Sequence, residues 1–159
     1  MYAKILVAVD GGELTKTITE YALRFPRDAA LDFVCAVDPN EFFSDATAAI
    51  YGTETERSAA LQATQKVVDS CVAAAKDAGL IATGHVIEAA PVDAIINIAD
   101  KVNADVIVMA SHGRSGFARL VLGSVAEGVA RRARIPVLLV PSGLADDPSR
   151  HLHQIFQGL

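Results

Sequence analysis

The sequence lacks several patterns that mark common classes of protein. No apolar run approaches the roughly 20 residues that a helix needs to cross a bilayer, so no membrane-spanning helix is expected. The net charge is −5, which argues against a general nucleic-acid binder. The N-terminus "MYAKILVAVD" lacks the long apolar stretch and cleavage site of a secretory signal, so we expect a cytoplasmic protein.

Cysteine and metal-binding patterns are also scarce. The two cysteines, Cys35 and Cys71, form no CxxC pair and no metal-ligand cluster. Cys35 lies in an apolar run typical of a strand and Cys71 on an apolar helix face, so both are predicted to be buried and reduced. His151 and His153 have no third ligand nearby, and no metal site is predicted.

The familiar phosphate-binding fingerprints are missing. No lysine follows a glycine, so there is no GxxxxGK[ST] motif, and no GxGxxG occurs. No SGGxDS-like loop follows the first predicted strand, which argues against an ATP pyrophosphatase.

What the sequence does contain is a regular alternation of strand and helix patterns. The chain has 159 residues, of which 52% are hydrophobic and 21% charged, enough to form one domain with a real core. Strands are predicted at 4–9, 31–37, 82–88, 105–110 and 136–140. Helices are predicted at 13–25, at 54–78 with Gly79 as its C-terminal cap, from 91 onward, and at 124–134. These elements predict an open α/β fold: a doubly wound, Rossmann-like parallel sheet of five strands with helices on both faces and strand order 3-2-1-4-5.

In such a sheet, ligands bind beyond the carboxyl ends of the strands, where the strand order reverses. The first strand ends at Asp10, which is followed by Gly11 and Gly12. The Asp10 carboxylate could accept hydrogen bonds from an adenine amino group or a ribose hydroxyl. It could equally cap the helix that follows, and the spacing alone leaves both roles open.

The loop after the fourth strand, "MASHGRSGFARLVLGS" (109–124), has the chemistry that a phosphate requires. Gly113 and Gly116 have no side chains, so their backbone N–H groups can face an anion. Gly123 and Ser124 precede a helix, whose free N–H groups and dipole attract negative charge.

Other residues of this loop allow two interpretations. Arg114 and Arg119 could approach the outer phosphates, whereas a plain glycine-rich turn with Ser124 as the N-cap is the structural alternative. A lone histidine such as His112 is more often a structural hydrogen-bonding residue than a general base.

Three segments carry a resemblance to a known family: "KILVAVDGG", "EAAPVDAIINIADKVNADVIVMASHGRSG" and "LGSVAEGVARRARIPVLLVP". Over about residues 2–141 the chain resembles the universal stress protein (UspA-like) family. The resemblance implies a nucleotide-binding domain at 1–141, followed by a polar tail at 142–159. It also implies a homodimer that pairs through strand 136–140.

The ATP-binding branch of that family has the pattern Gly, two residues, Gly, nine residues, then Gly and Ser or Thr. Here Gly113, Gly123 and Ser124 fit this spacing, but Ala110 stands in the first position, where an added methyl group could crowd the ligand. The resemblance implies that ATP, alone or with Mg²⁺, binds at the residues that match the family's site. These are Ala8, Val9, Asp10, Val37, Met109, Ala110, His112, Gly113, Arg114, Gly116, Gly123, Ser124 and Val125.

The function expected from this resemblance is a stress-response protein that binds ATP and acts as a regulatory or interaction module. One alternative is a nucleotide-independent dimeric interaction protein. A weak ATPase or self-phosphorylating protein is another, although the sequence offers no evident general base or carboxylate pair. The apolar segment 42–52 is interpreted as a lid, as a partner surface, or as packing beneath the loop.

Overall fold

The fold is described from a computed structural model, which covers residues 2–40, 53–112 and 122–141. Three predicted features lie outside the described residues: the segment 42–52, most of the glycine-rich loop, and the tail 142–159.

Five parallel strands form one sheet, as predicted. Their order is β3-β2-β1-β4-β5, so the chain builds one half of the sheet outward from β1 and then crosses to build the other. This reversal places β1 and β4 side by side in the middle of the sheet. The strands are β1 (Lys4–Ala8), β2 (Ala30–Val37), β3 (Ile81–Glu88), β4 (Val106–Ala110) and β5 (Val137–Val140).

The described residues form four helices that connect and cover these strands. They are α1 (Leu14–Ala22), α2 (Thr53–Asp77), α3 (Pro91–Val102) and α4 (Ser124–Arg132). Two of them end earlier than the sequence pattern predicts. After α1, the N–H groups of Arg24 and Phe25 bond three residues back instead of four, which tightens the chain before Pro26. After α4, Ala133 is already extended, at φ −64° and ψ 137°.

Alternation along the strands divides the core into two layers. Ile5 and Val7 face α1 and α2, whereas Leu6 and Ala8 face α3 and α4. Phe33 on β2 is fully buried in the first layer. The sheet is therefore apolar on both faces, which explains why its strands have nearly continuous Val, Ile and Leu runs.

Two helices end in the same way with different residues. Gly79, at φ +80°, lets its own N–H bond Lys76 O at 2.9 Å and the Leu80 N–H bond Ala75 O at 3.0 Å, as its predicted capping role requires. Asn103, at φ +52°, closes α3 with the same pair of bonds. The sequence analysis missed this second cap because asparagine adopts the left-handed conformation less often than glycine.

The packing of α2 on the edge strand β3 depends on Gly84. A Cβ atom at this position would lie 2.3 Å from Val68 Cγ1, and Val68 is completely buried. The two elements lie in contact because the strand has no side chain at the crossing point.

A buried carboxylate links three strands on the layer that faces α3. Asp32, only 4% exposed, has its Oδ1 2.7 Å from His85 Nε2 and its Oδ2 3.7 Å from Lys4 Nζ. These residues lie on β2, β3 and β1 respectively. A buried charge is costly unless it is paired. Because these three side chains have to meet, they fix how β1, β2 and β3 align at their polar positions within an apolar sheet.

We expect Gly84→Ala to lower the free energy of unfolding by about 1–3 kcal/mol, because the added methyl group overlaps Val68. Urea denaturation measures this change. Thr83→Ala is the matched control, since Thr83 is the exposed neighbour on the other face of β3. Equal stability of the two variants would show that α2 can move away without cost.

We expect His85→Ala to destabilise the protein by about 1–3 kcal/mol, because the buried Asp32 carboxylate loses a hydrogen-bond partner at 2.7 Å. A double-mutant cycle with Asp32→Asn, followed by urea denaturation, measures the coupling between the two residues. If the two substitutions change the free energy of unfolding in a strictly additive way, the buried Asp32 carboxylate does not depend on His85.

Candidate functional site

The carboxyl ends of β1 and β4 lie side by side where the strand order reverses. Ala8 pairs with Met109 in the register of these two strands. The residues that follow, Val9 and Asp10 on one side and Ala110 on the other, therefore share this edge of the sheet. The structure thus brings together the predicted residues from the first and fourth strands, in the position where open α/β sheets bind ligands.

Asp10 is held by the turn that precedes α1. Its Oδ1 accepts the Gly12 N–H at 2.8 Å and lies 3.4 Å from the Thr15 hydroxyl oxygen. Gly11 has φ +75°, a conformation that favours glycine. Asp10 is not the N-cap of α1, which is Glu13. The carboxylate thus organises the turn and is kept at the edge in a fixed orientation.

Several predicted contact residues are core residues, and little of their side-chain surface is accessible at this edge. Ala8, Val9, Val37 and Met109 are each 5–7% exposed. The Val37 carbonyl accepts the Ala89 N–H at 3.1 Å, which joins the end of β2 to the segment after β3. A ligand at this edge would therefore contact mostly backbone and small apolar surface.

The beginning and end of the glycine-rich loop are joined by hydrogen bonds. Gly123 N–H donates to Ser111 O at 2.8 Å, and Ser111 N–H donates to Val140 O at 3.0 Å. The start of α4 is therefore fixed directly to the ends of β4 and β5. Gly113, Arg114 and Gly116, which were predicted to contact phosphate, lie outside the described residues.

His112 lies near the start of this loop, and only one of its two ring nitrogens has a hydrogen-bond partner among the described residues. Its Nδ1 lies 3.0 Å from Ser111 Oγ. Its Nε2 is buried and has no hydrogen-bond partner among the described residues. The side chain is thus fastened to the end of β4 through one ring nitrogen, in agreement with a structural hydrogen-bonding role for that atom.

The start of α4 differs from the interpretation of Ser124 as its N-cap. Gly123 occupies the cap position, at φ −63° and ψ 152°, and makes no side-chain cap bond. Ser124 is the first helical residue and is exposed, and Val125 packs partly against the second core layer. The first intrahelical bond joins Glu127 N–H to Gly123 O, so the N–H groups of the first turn have no partners within the helix. These groups give the edge a positive electrostatic end.

A pair of residues that the sequence analysis missed lies at the same edge. Arg57 on α2 donates two hydrogen bonds to Glu88 at the end of β3, one of them from Nη2 to Oε1 at 2.6 Å. The bonded Arg57 guanidinium lowers the pKa of Glu88. No spacing rule reveals this pair, because residues 31 positions apart meet only through the sheet topology.

Metal ligands and reactive thiols are not evident in the part of the chain that the structure describes. Within it, no three His, Cys, Asp or Glu side chains lie close enough together to hold a metal ion. Cys35 and Cys71 are buried and form no disulfide, as predicted, and burial raises the pKa of the Cys71 thiol. Among the described helices, none has the length and hydropathy of a membrane span.

Comparison with known proteins reveals relatives over most of the chain. A universal stress protein of Methanocaldococcus jannaschii is 29% identical over 144 residues, which are 88% of this chain and 82% of the relative. The crystal structure of a universal stress family protein from Burkholderia pseudomallei is 28% identical, with a TM-score of 0.72 over 89% of this chain and 97% of that one.

Some of the similar structures contain adenine nucleotides. A universal stress protein crystallised with cAMP is 26% identical, with a TM-score of 0.63 over 89% of this chain and 98% of that one. More distant structures of the same fold, at 21% and 17% identity with TM-scores of 0.61 and 0.60, are complexes with dAMP and AMP. The model of the universal stress protein family matches residues 1–141, and the chain therefore belongs to that family.

Proposed function

We propose that this protein binds an adenine nucleotide, ATP with Mg²⁺, between the carboxyl ends of β1 and β4 and serves as a regulatory module in a stress response. The observation that carries the proposal is the junction of Ser111 with Gly123, which sets the first N–H groups of α4, those without a partner within the helix, beside the end of β4. The nucleotide complexes of the related proteins agree with this assignment.

The arrangement supports binding of the nucleoside and of the phosphates at two different parts of this edge. Asp10 and the end of β2 at Val37 would receive the adenine and ribose, since they offer a carboxylate and apolar walls. The first turn of α4, with Gly123 and Ser124, would hold phosphate through backbone N–H groups and one hydroxyl. Mg²⁺ usually keeps several waters and binds through substrate phosphates, so it requires no acidic cluster here.

The methyl group of Ala110 is compatible with this proposal. Ala110 is partly buried and packs against the first core layer, together with residues such as Val108. Its side chain thus contacts the apolar side chains under the sheet edge. A methyl group in such contact leaves room for a ligand on the opposite side of the backbone.

A second copy of the chain would extend the sheet at β5. This short edge strand pairs with β4 along one side, and its residues Val137, Leu138 and Leu139 are only partly buried. An apolar, unprotected edge strand favours pairing with another strand. We propose a homodimer formed through this strand. The same strand would be the interaction surface if the protein acts as a dimer without a nucleotide.

We expect the double variant Gly123→Val, Ser124→Ala to bind ATP at least about tenfold more weakly, because two phosphate contacts are removed or blocked. Isothermal titration calorimetry with Mg²⁺–ATP measures the affinity. The backbone of Gly123, at φ −63° and ψ 152°, is accessible to valine, so the substitution does not strain the chain.

Lys101→Gln on the exposed surface of α3 is the control and should retain the affinity of the unaltered protein. Absence of any heat of binding by the folded, unaltered protein would refute the proposed function. Equal affinity of the double variant would place the phosphates elsewhere.

We expect Leu138→Lys to weaken self-association at least about tenfold, because it introduces a charge into an apolar strand pair. Sedimentation equilibrium measures the change. Ile81→Lys is the matched control on the opposite edge strand, where Ile81 is already 67% exposed. A monomeric unaltered protein, or equal effects of both substitutions, would contradict pairing through β5.

A further inference from the structure

A cavity of about 240 Å³ lies on the α3 and α4 side of the sheet, away from the proposed nucleotide edge. Its base includes Ile107, in the first half of β4, and its walls are the last turns of α3 and the segment that leads from α4 into β5. The lining residues are Ile96, Ala99, Asp100, Ile107, Arg132, Ala133, Arg134 and Ile135.

The lining of this cavity combines apolar side chains at its base with charged side chains at its rim. Ile107 is fully buried and Ala99 is 5% exposed, whereas Ile96 and Ile135 are half-buried at its sides. Small-molecule sites are commonly concave and apolar, with a few polar groups that fix the orientation of the ligand. This cavity has an apolar base of that kind, with a larger share of polar surface around it.

The charged residues at its rim are not equivalent. Arg132 is paired with Asp93, since its Nη1 lies 2.6 Å from Asp93 Oδ1. The side chains of Arg134 and Asp100 form no ion pair or hydrogen bond with any described residue, although both line the cavity. One wall thus offers a carboxylate and the other a guanidinium that no described residue pairs with.

The helix ends favour the cationic group of a ligand, so a ligand carboxylate would depend on Arg134 alone. Asp100 lies in the last turn of α3, and α4 ends at Arg132, so the cavity lies at the C-termini of two helices. Helix C-termini favour positive charge. An ammonium group would be stabilised beside Asp100, and a carboxylate would pair with Arg134, whose planar guanidinium suits bidentate binding.

We propose that this cavity binds a small zwitterion with an aliphatic body, the chemistry of a branched aliphatic amino acid. Its ammonium group would contact Asp100, its carboxylate would contact Arg134, and its side chain would cover the isoleucines. An apolar cavity of about 150 Å³ already holds benzene. The volume of about 240 Å³ therefore accommodates a molecule of leucine's size with its polar groups at the rim.

The experiment is a titration of the ¹⁵N-labelled full chain with L-leucine, followed by heteronuclear NMR. We expect shifts at the amides of Ile96, Ala99 and Ile135, without comparable shifts at Gly123. The probes 4-methylpentanoate and 3-methylbutylamine lack the ammonium and the carboxylate respectively, and each should bind at least about tenfold more weakly.

Asp100→Asn and Arg134→Gln should each lower the affinity for leucine at least about tenfold, and both exposed positions tolerate the change without loss of the fold. Lys101→Gln, beside Asp100 but outside the lining, is the control. Unchanged amides at the cavity on addition of leucine would overturn the proposal. Equal binding of 4-methylpentanoate, or unchanged affinity in both variants, would also overturn it. None of these outcomes depends on ATP binding.

Discussion

The parallel pairing of β1 with β4 is the constraint on which the rest of the molecule depends. These strands lie far apart in the sequence, yet Ala8 and Met109 are register partners. The chain places β2 and β3 on one side of β1 and places β5 on the other side of β4. The connections that leave the carboxyl ends of β1 and β4 therefore run in opposite directions. The divergence leaves an opening at the carboxyl edge, and both strands bring polar residues to it.

The two ends of α4 show how a single helix separates two chemical environments. Its first turn provides N–H groups that have no partner within the helix, close to the end of β4, which favours an anion. Its last turn contributes Arg132 and Ala133 to a cavity whose rim carries both signs of charge. The helix dipole favours an anion at the first turn and a cation at the last, so the two ends of one element differ in the sign of charge that they attract.

The sequence is sufficient for the fold because its signals are local and consistent. Strand runs, helical periodicity and Gly79 each predict the element that the structure contains, and right-handed crossovers then limit the topology. The alternation was also sufficient to predict that Asp10 and Ala110 meet at one edge. Local capping is less predictable, since Asn103 takes a role usually given to glycine and Gly123 takes the cap position in place of Ser124. Non-local pairs such as Arg57 with Glu88 have no sequence signature, because the sheet alone brings them together.

The hydrogen bond from Gly123 to Ser111 has a consequence for how such a site can diversify. It joins the residues on either side of the glycine-rich segment, so the position of α4 is set by β4 and not by the chain between them. Substitutions or changes of length within that segment can therefore occur while the helix stays in place. The attachment of α4 to β4 and the sequence of the residues between Ser111 and Gly123 can thus evolve independently.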